Sequence, residues 1–172
     1  MGPLELLGRL GTQAGIVLMR LLAPLPLPWV RFLGVCLGYV LYAVVLPRRR
    51  VVHTNLALCF PALSAAERRA LARQTFVYFA QTWLDRSWLW HGPRAVLMQR
   101  LRLCGAVHEL DGLAPTIVFC PHFYGLDAGV TAVNIHVNRD LTTIYSRQSN
   151  ALLDSWIKAG RQRFGRLRLF LR

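Results

Sequence analysis

Pro24, Pro26 and Pro28 fall inside the long apolar stretch from Leu10 to Leu46, and they constrain the folding of this chain more than any other feature. Proline lacks a backbone N–H, and its ring clashes with the carbonyl four residues back, so the stretch cannot form one straight helix. Two shorter helices, about Leu4 to Leu22 and Trp29 to Val45, joined by a proline-rich elbow, fit better. Phe32 to Leu46 carries no charge. As a helix it measures about 22 Å, against a hydrocarbon core of about 30 Å. Residues 1–50 are therefore expected to form a membrane anchor, which either crosses the bilayer with Arg31 snorkelling or lies in the interface as a helical hairpin. A buried core hairpin is the alternative. Arg48, Arg49 and Arg50 follow the second helix at once and would keep residues 51–172 on the cytoplasmic side. The start lacks a charged leader and an A-x-A site, so the segment is read as a retained anchor rather than a cleaved signal. Gly11/Gly15 and Gly34/Gly38 have the spacing that permits close helix approach.

Composition agrees with a membrane surface. Hydrophobic residues make up 54% of the chain, yet 21 basic side chains face only 8 acidic ones, for a net charge of +13. Anionic headgroups attract clustered arginine, while apolar segments bury in the acyl boundary. Lys158 is the only lysine. The arginine bias suits bidentate grip on phosphate or carboxylate, and a genomic preference for arginine would produce it equally well. Nucleic acid is not the expected partner, because the arginines interleave with long apolar runs and no helix-turn-helix, zinc-finger or aromatic RNP pattern occurs. Cys36, Cys59, Cys104 and Cys120 form no C-x-x-C pair and are expected as reduced core residues.

Past the arginines, Ser64 and Glu67 have capping-box spacing, which predicts a helix from about Ala65. Ala72, Phe76, Phe79, Ala80 and Trp83 recur at three and four and are expected to face the core. Trp88 and Trp90 extend the aromatic cluster, read as burial rather than an interfacial belt, and His91-Gly92-Pro93 ends the helix. From Leu97 the texture reads as strand: Leu101, Leu103 and Val107 alternate with small or polar residues, Asp111-Gly112 turns, and Thr116 to Cys120 makes a short buried strand. A helix over Gly125 to Val137, a strand over Leu141 to Tyr145 and a helix over Asn150 to Phe164 follow. Strand, helix, strand, helix is the order of a parallel α/β sheet.

In that frame His122 stands just past a strand end, where open sheets bind ligands, and Asp127 follows five residues later between Gly125 and Gly129. A histidine of pKa about 6.5 can take a proton from a substrate hydroxyl at neutral pH if a carboxylate fixes its tautomer. No serine or cysteine sits in a G-x-S-x-G elbow, so the base would act directly on an incoming alcohol. By spacing alone, a helix-capping aspartate beside a loop histidine accounts for the pair equally well. His53, His91, His108 and His136 are read as structural, and their spacing suggests no metal site.

Four blocks, taken together, resemble the bacterial lipid A biosynthesis acyltransferases, the late lauroyl or myristoyl transferases within the broader H-x4-D lysophospholipid acyltransferase group. They are the apolar anchor ending in arginines; Asn55-Leu56 with Cys59-Phe60-Pro61 and the Ser64/Glu67 cap; Pro121-His122-Phe123 through Asp127; and Ile144 to Asn150 followed by Arg161 and Arg163. The resemblance implies an α/β, glycerolipid acyltransferase-like fold: an N-terminal helical anchor (1–50), then a partial mixed or parallel sheet with flanking helices (51–172). It implies an O-acyltransferase of the bacterial inner membrane, its catalytic part facing the cytoplasm, moving an acyl chain from acyl carrier protein to a hydroxyl of a phosphorylated lipid A precursor. His122 would be the base and Asp127 its orienting carboxylate. Arg147 would meet a substrate phosphate or the developing oxyanion, and Gly125, Arg161 and Arg163 would contact the anionic glycolipid, although a solvated helix face accounts equally for the last two. No cofactor is implied. Family members run well beyond the position of Arg172, so two alternatives stand: a truncated, inactive membrane-binding paralogue or fragment, and an acyltransferase acting on a lysophospholipid or another glycolipid.

Overall fold

The computed structural model describes residues 2–112 and 114–172, with all side chains there except those of Pro3 and Leu4. Contacts group the chain into two compact units, one from the residues up to Pro24 together with Arg86–Arg172, the other Leu25–Asp85.

The prolines act as expected. Helix α1 (Pro3–Leu22) starts on Pro3, and α2 (Leu27–Val44) takes Pro26 as its N-cap and Pro28 in its first turn, where a missing N–H has no intrahelical partner to lose. In unit Leu25–Asp85, α2 packs against α4 (Ala65–His91). Val30, Gly34 and Gly38 form the buried stripe of α2, one residue per turn. A Cβ on Gly38 would stand 2.5 Å from Val77 Cα and 2.8 Å from its nitrogen, and one on Gly34 would stand 2.5 Å from Gln81 Cγ. Only glycine permits that approach. Gln81 Nε2 donates to Arg31 O (3.2 Å), and Arg31 pairs with Asp85 at 3.0 Å. At the other end Tyr42 meets Phe76 edge-on at 5.5 Å, so the helices run antiparallel. Gly11 and Gly15, with the same spacing, face open space.

Helix α3 (Leu46–Cys59) was not expected. It opens with Pro47 and three arginines, a charge placement the helix dipole disfavours, and buries no residue. No apolar stripe therefore reveals it in the sequence. The Tyr42 hydroxyl and His53 Nε2 lie 3.2 Å apart, and the Arg49 guanidinium sits 5.2 Å over the Tyr42 ring. The capping box of α4 forms in both directions: Ser64 N donates to Glu67 Oε2 (2.7 Å), and Glu67 N donates to Ser64 Oγ (3.3 Å). Arg68 ties down the preceding turn by donating to the carbonyls of Phe60, Pro61 and Leu63. Ala72, Phe76 and Ala80 are buried as the stripe predicts, whereas Phe79 is exposed.

The other unit holds α1, the end of α4, α5 (Arg94–Arg100), a 3-10 turn (Val107–Leu110), α6 (Leu126–His136), β1 (Leu141–Tyr145), α7 (Ala151–Arg161) and β2 (Leu167–Leu171). β1 and β2 pair in parallel, from Leu141 opposite Leu167 to Tyr145 opposite Leu171, with α7 as the crossover. Trp88, Leu89, Trp90, Leu97, Ile135 and Ile157 are buried. The Asn150 side chain caps α7, accepting from Leu152 N (3.0 Å) and Leu153 N (3.1 Å) while its amide donates to Thr12 Oγ1 of α1 (2.8 Å). A Cβ on Gly160 would fall 2.2 Å from Trp90 Cδ2, inside the buried ring. Gly160→Ala is accordingly expected to cost about 1–3 kcal/mol, read as a lowered denaturation midpoint; an unchanged midpoint would show that this contact is slack.

Several expectations fail. The described chain is mostly helical, and its sheet has two strands. Leu97 to Val107 is not strand: Leu97 and Leu101 are both buried at a spacing of four, which serves one helical face, and Pro93 caps α5. Thr116 to Cys120 pairs with no strand, and it is not buried, since Ile117 is 97% and Phe119 90% exposed. Strand-forming side chains make a strand only where a neighbour accepts their backbone hydrogen bonds. The four cysteines are free thiols but lie at the surface, not in the core.

Candidate active site

The geometry centres on Asp127. Gly125 sits at the N-cap of α6 with φ 89°, a left-handed conformation that side chains resist, and this turn starts the helix one residue before Asp127 is reached. Asp127 then falls in the first turn, where the helix dipole favours a negative charge. Its carboxylate is buried, 4% exposed, between two guanidinium groups. Arg86 donates to Oδ2 through Nε (2.9 Å) and lies within 2.7 Å through Nη2, and Arg161 Nε donates to Oδ1 (2.8 Å). Three elements, the end of α4, the start of α6 and the end of α7, thus converge on one side chain. A carboxylate offers about four acceptor positions. These contacts occupy three and leave one on Oδ1. The Arg86 guanidinium also sits 5.4 Å over the Trp90 ring, and Thr131 Oγ1 donates to Asp127 O (2.7 Å).

The other candidates are spread around this clamp. His122 is exposed in the turn before α6, and among the described residues no hydrogen bond joins it to Asp127. Tyr124, two residues on, is 47% exposed, and its partial burial pushes its hydroxyl above the ordinary 10.0. Arg147 is exposed just past the carboxyl end of β1, where Gln148 N donates to the buried Asp154 Oδ1 (2.9 Å). Arg163 points elsewhere: it donates to Leu89 O (3.3 Å) and Gly92 O (2.6 Å), closing the end of α4, and burial lowers the pKa of its guanidinium. Of the proposed set, then, Asp127, Gly125 and Arg161 come together. Arg86 was missed. Its trace in the sequence is the charged pair Asp85-Arg86 within the tryptophan-rich end of α4, since charges in such surroundings need partners.

His91 has a structural place. Its Nε2 accepts from Trp156 Nε1 (3.1 Å), and the two rings lie 24° apart in angle. Burial, followed by the nearby Arg20 and Arg163, lowers its pKa from 6.5. The unfolded chain therefore binds the proton more readily, and the stability tied to neutral His91 is present above pH 6.5 and lost as pH falls through the folded value. Denaturation midpoints should drop below pH 6.5 in the native protein and flatten in His91→Gln; equal slopes would contradict this role.

Comparison with known proteins gives a consistent picture. A family model described as bacterial lipid A biosynthesis acyltransferase matches residues 3–169. The lipid A biosynthesis lauroyltransferase of Escherichia coli (strain K12) is 29% identical over 160 residues, which is 91% of this chain and 50% of the relative. The lipid A biosynthesis palmitoleoyltransferase of the same strain and the lipid A biosynthesis acyltransferase of Shigella flexneri are each 26% identical over 160 residues, covering 88% of this chain and 50% of theirs. The chain spans about half the length of the curated relatives it matches. No solved structure matches it.

Proposed function

The chain belongs to the bacterial lipid A biosynthesis acyltransferase family, and from that premise we propose that it carries the hydroxyl-activating half of a membrane-associated O-acyltransferase site. The donor is an acyl thioester on acyl carrier protein, and the acceptor is a hydroxyl of a phosphorylated lipid A precursor. The observation that carries this reading is the buried Asp127 carboxylate, held by Arg86 and Arg161 at the start of α6 with one Oδ1 acceptor position taken by neither arginine, five residues after His122. In this reading a proton on His122 Nδ1 would take that remaining position. The other ring nitrogen then accepts the acceptor hydroxyl's proton as its oxygen attacks the thioester carbonyl. The tetrahedral intermediate collapses by breaking the C–S bond, and the imidazolium returns the proton to the departing thiolate. Two arginines around a single carboxylate leave a net positive site, which suits the oxyanion of the intermediate.

Arg147, exposed beyond β1, is assigned to the acceptor phosphates, as bidentate guanidinium geometry allows. Arg161 shares Asp127 with Arg86. Arg163, with its donors on Leu89 and Gly92, supports the end of α4 from behind. Association with the cytoplasmic face of the inner membrane rests on α2, the one described helix long and apolar enough to cross a bilayer, and on Arg48 to Arg50 after it. The excess of basic side chains also suits capture of an acidic carrier protein by electrostatic steering.

Acceptor choice tests this reading. Given acyl-loaded carrier protein, the detergent-purified protein should acylate a lipid A precursor in preference to a lysophospholipid. Transfer to the lysophospholipid alone would change the acceptor class, and transfer to neither would contradict the enzymatic reading.

A further inference from the structure

The face of α2 that meets α4 decides how this segment meets lipid, given the membrane association proposed above. We infer that α2 docks lengthwise in one leaflet of an anionic bilayer and does not cross it. Its two long faces differ. One, through Gly34 and Gly38, is in backbone contact with Val77 and Gln81 of α4, and Arg31 adds the pair with Asp85. The opposite face carries Trp29, Phe32, Val40 and Val44, all 55–65% exposed, with exposed Cys36 between them and no charge.

The partner helix sets the constraint. Because the contact is antiparallel and runs from Asp85 at one end to Phe76 at the other, a bilayer-spanning α2 would carry the matching length of α4 into hydrocarbon. That stretch bears Gln81, Thr82 and Asp85, and α4, though 27 residues long, is not apolar enough to span. Polar and charged side chains are costly there. Separating the helices instead would expose the glycine stripe and leave Asp85 without Arg31. Lying in the interface avoids both: the uncharged face of α2 enters the acyl boundary, and α4 stays on its headgroup side. The exposed Arg48 and Arg50, just beyond the end of α2, meet anionic phosphates at that level.

The chain's own thiols allow the depth to be read. In full-length protein with Cys59, Cys104 and Cys120 changed to serine, a fluorophore on Cys36 reports the middle of α2, and Trp29→Cys or Val44→Cys in a Cys36→Ser background reports its ends. All three lie on the exposed face, so the packing on α4 is untouched. The probes are vesicles of phosphatidylcholine and phosphatidylglycerol containing lipids brominated either near the headgroup or near the chain end. An in-plane helix places all three labels at one depth, about 5–10 Å below the headgroups, with the shallow quencher most effective at each. Deepest quenching at Cys36, with the two ends at opposite interfaces, would overturn the in-plane docking while leaving membrane association intact. No quenching by either lipid at any site would overturn the membrane association as well.

Discussion

Asp127→Ala is expected to destabilise the protein by about 3–5 kcal/mol, the range found when one partner of a buried ion pair is removed and the others stay behind. Arg86 and Arg161 would then face each other across a cavity, their side chains only 13% and 25% exposed, with no carboxylate between them. Arg86→Met should be milder, because Arg161 still neutralises Asp127. Guanidinium denaturation, with amide exchange followed in α6 and α7, measures both. A fall within about 0.5 kcal/mol of the native protein, the range of an ordinary surface change, would show that the clamp does not hold these helices together.

Gly38→Leu is the second large effect expected, and it acts on the other unit. The first side-chain carbon would already overlap Val77 Cα and N, which are backbone and cannot rotate away, so α2 must move off α4. Overpacking of this kind costs about 1–3 kcal/mol and sometimes more, and here the displacement also draws Arg31 away from Asp85. Gly11→Leu provides the comparison: Gly11 has the same motif spacing but nothing within 4 Å, and its replacement should be close to neutral. Equal effects at both positions would mean that helix propensity, not the α2–α4 contact, governs them.

This contrast shows what the sequence conveys and what it does not. Features with a local cause were legible: prolines divide α1 from α2, the Ser64/Glu67 box starts α4, and Gly92-Pro93 stops it. Features with a non-local cause were not. Two G-x-x-x-G spacings look alike until a partner helix lies against one of them. The run Thr116 to Cys120 has strand-forming side chains, yet strand formation depends on a neighbour elsewhere in the chain. Helix α3 buries nothing, so no periodicity marks it. The family's parallel-sheet expectation survives as β1 and β2 with their α7 crossover.

The candidate site divides along the same line. His122, Gly125 and Asp127 are close in sequence; the residues raised His122 and Asp127 as a candidate pair, and the resemblance assigned the roles. The clamp on Asp127 joins residues 34 and 41 positions away, and of those two arginines only Arg161 was anticipated. Arg163, next in line by resemblance, uses its donors on carbonyls at the end of α4, a role set by where α7 ends rather than by any motif.

The central claim, that His122 removes the acceptor's proton, is tested most directly by comparing acyl transfer to a lipid A precursor by the native protein and by His122→Ala. His122 is exposed, so its replacement should leave the fold intact. Loss of a general base should lower the rate by about 10²–10⁴-fold with the denaturation midpoint unchanged. Equal rates from the two proteins would contradict the account.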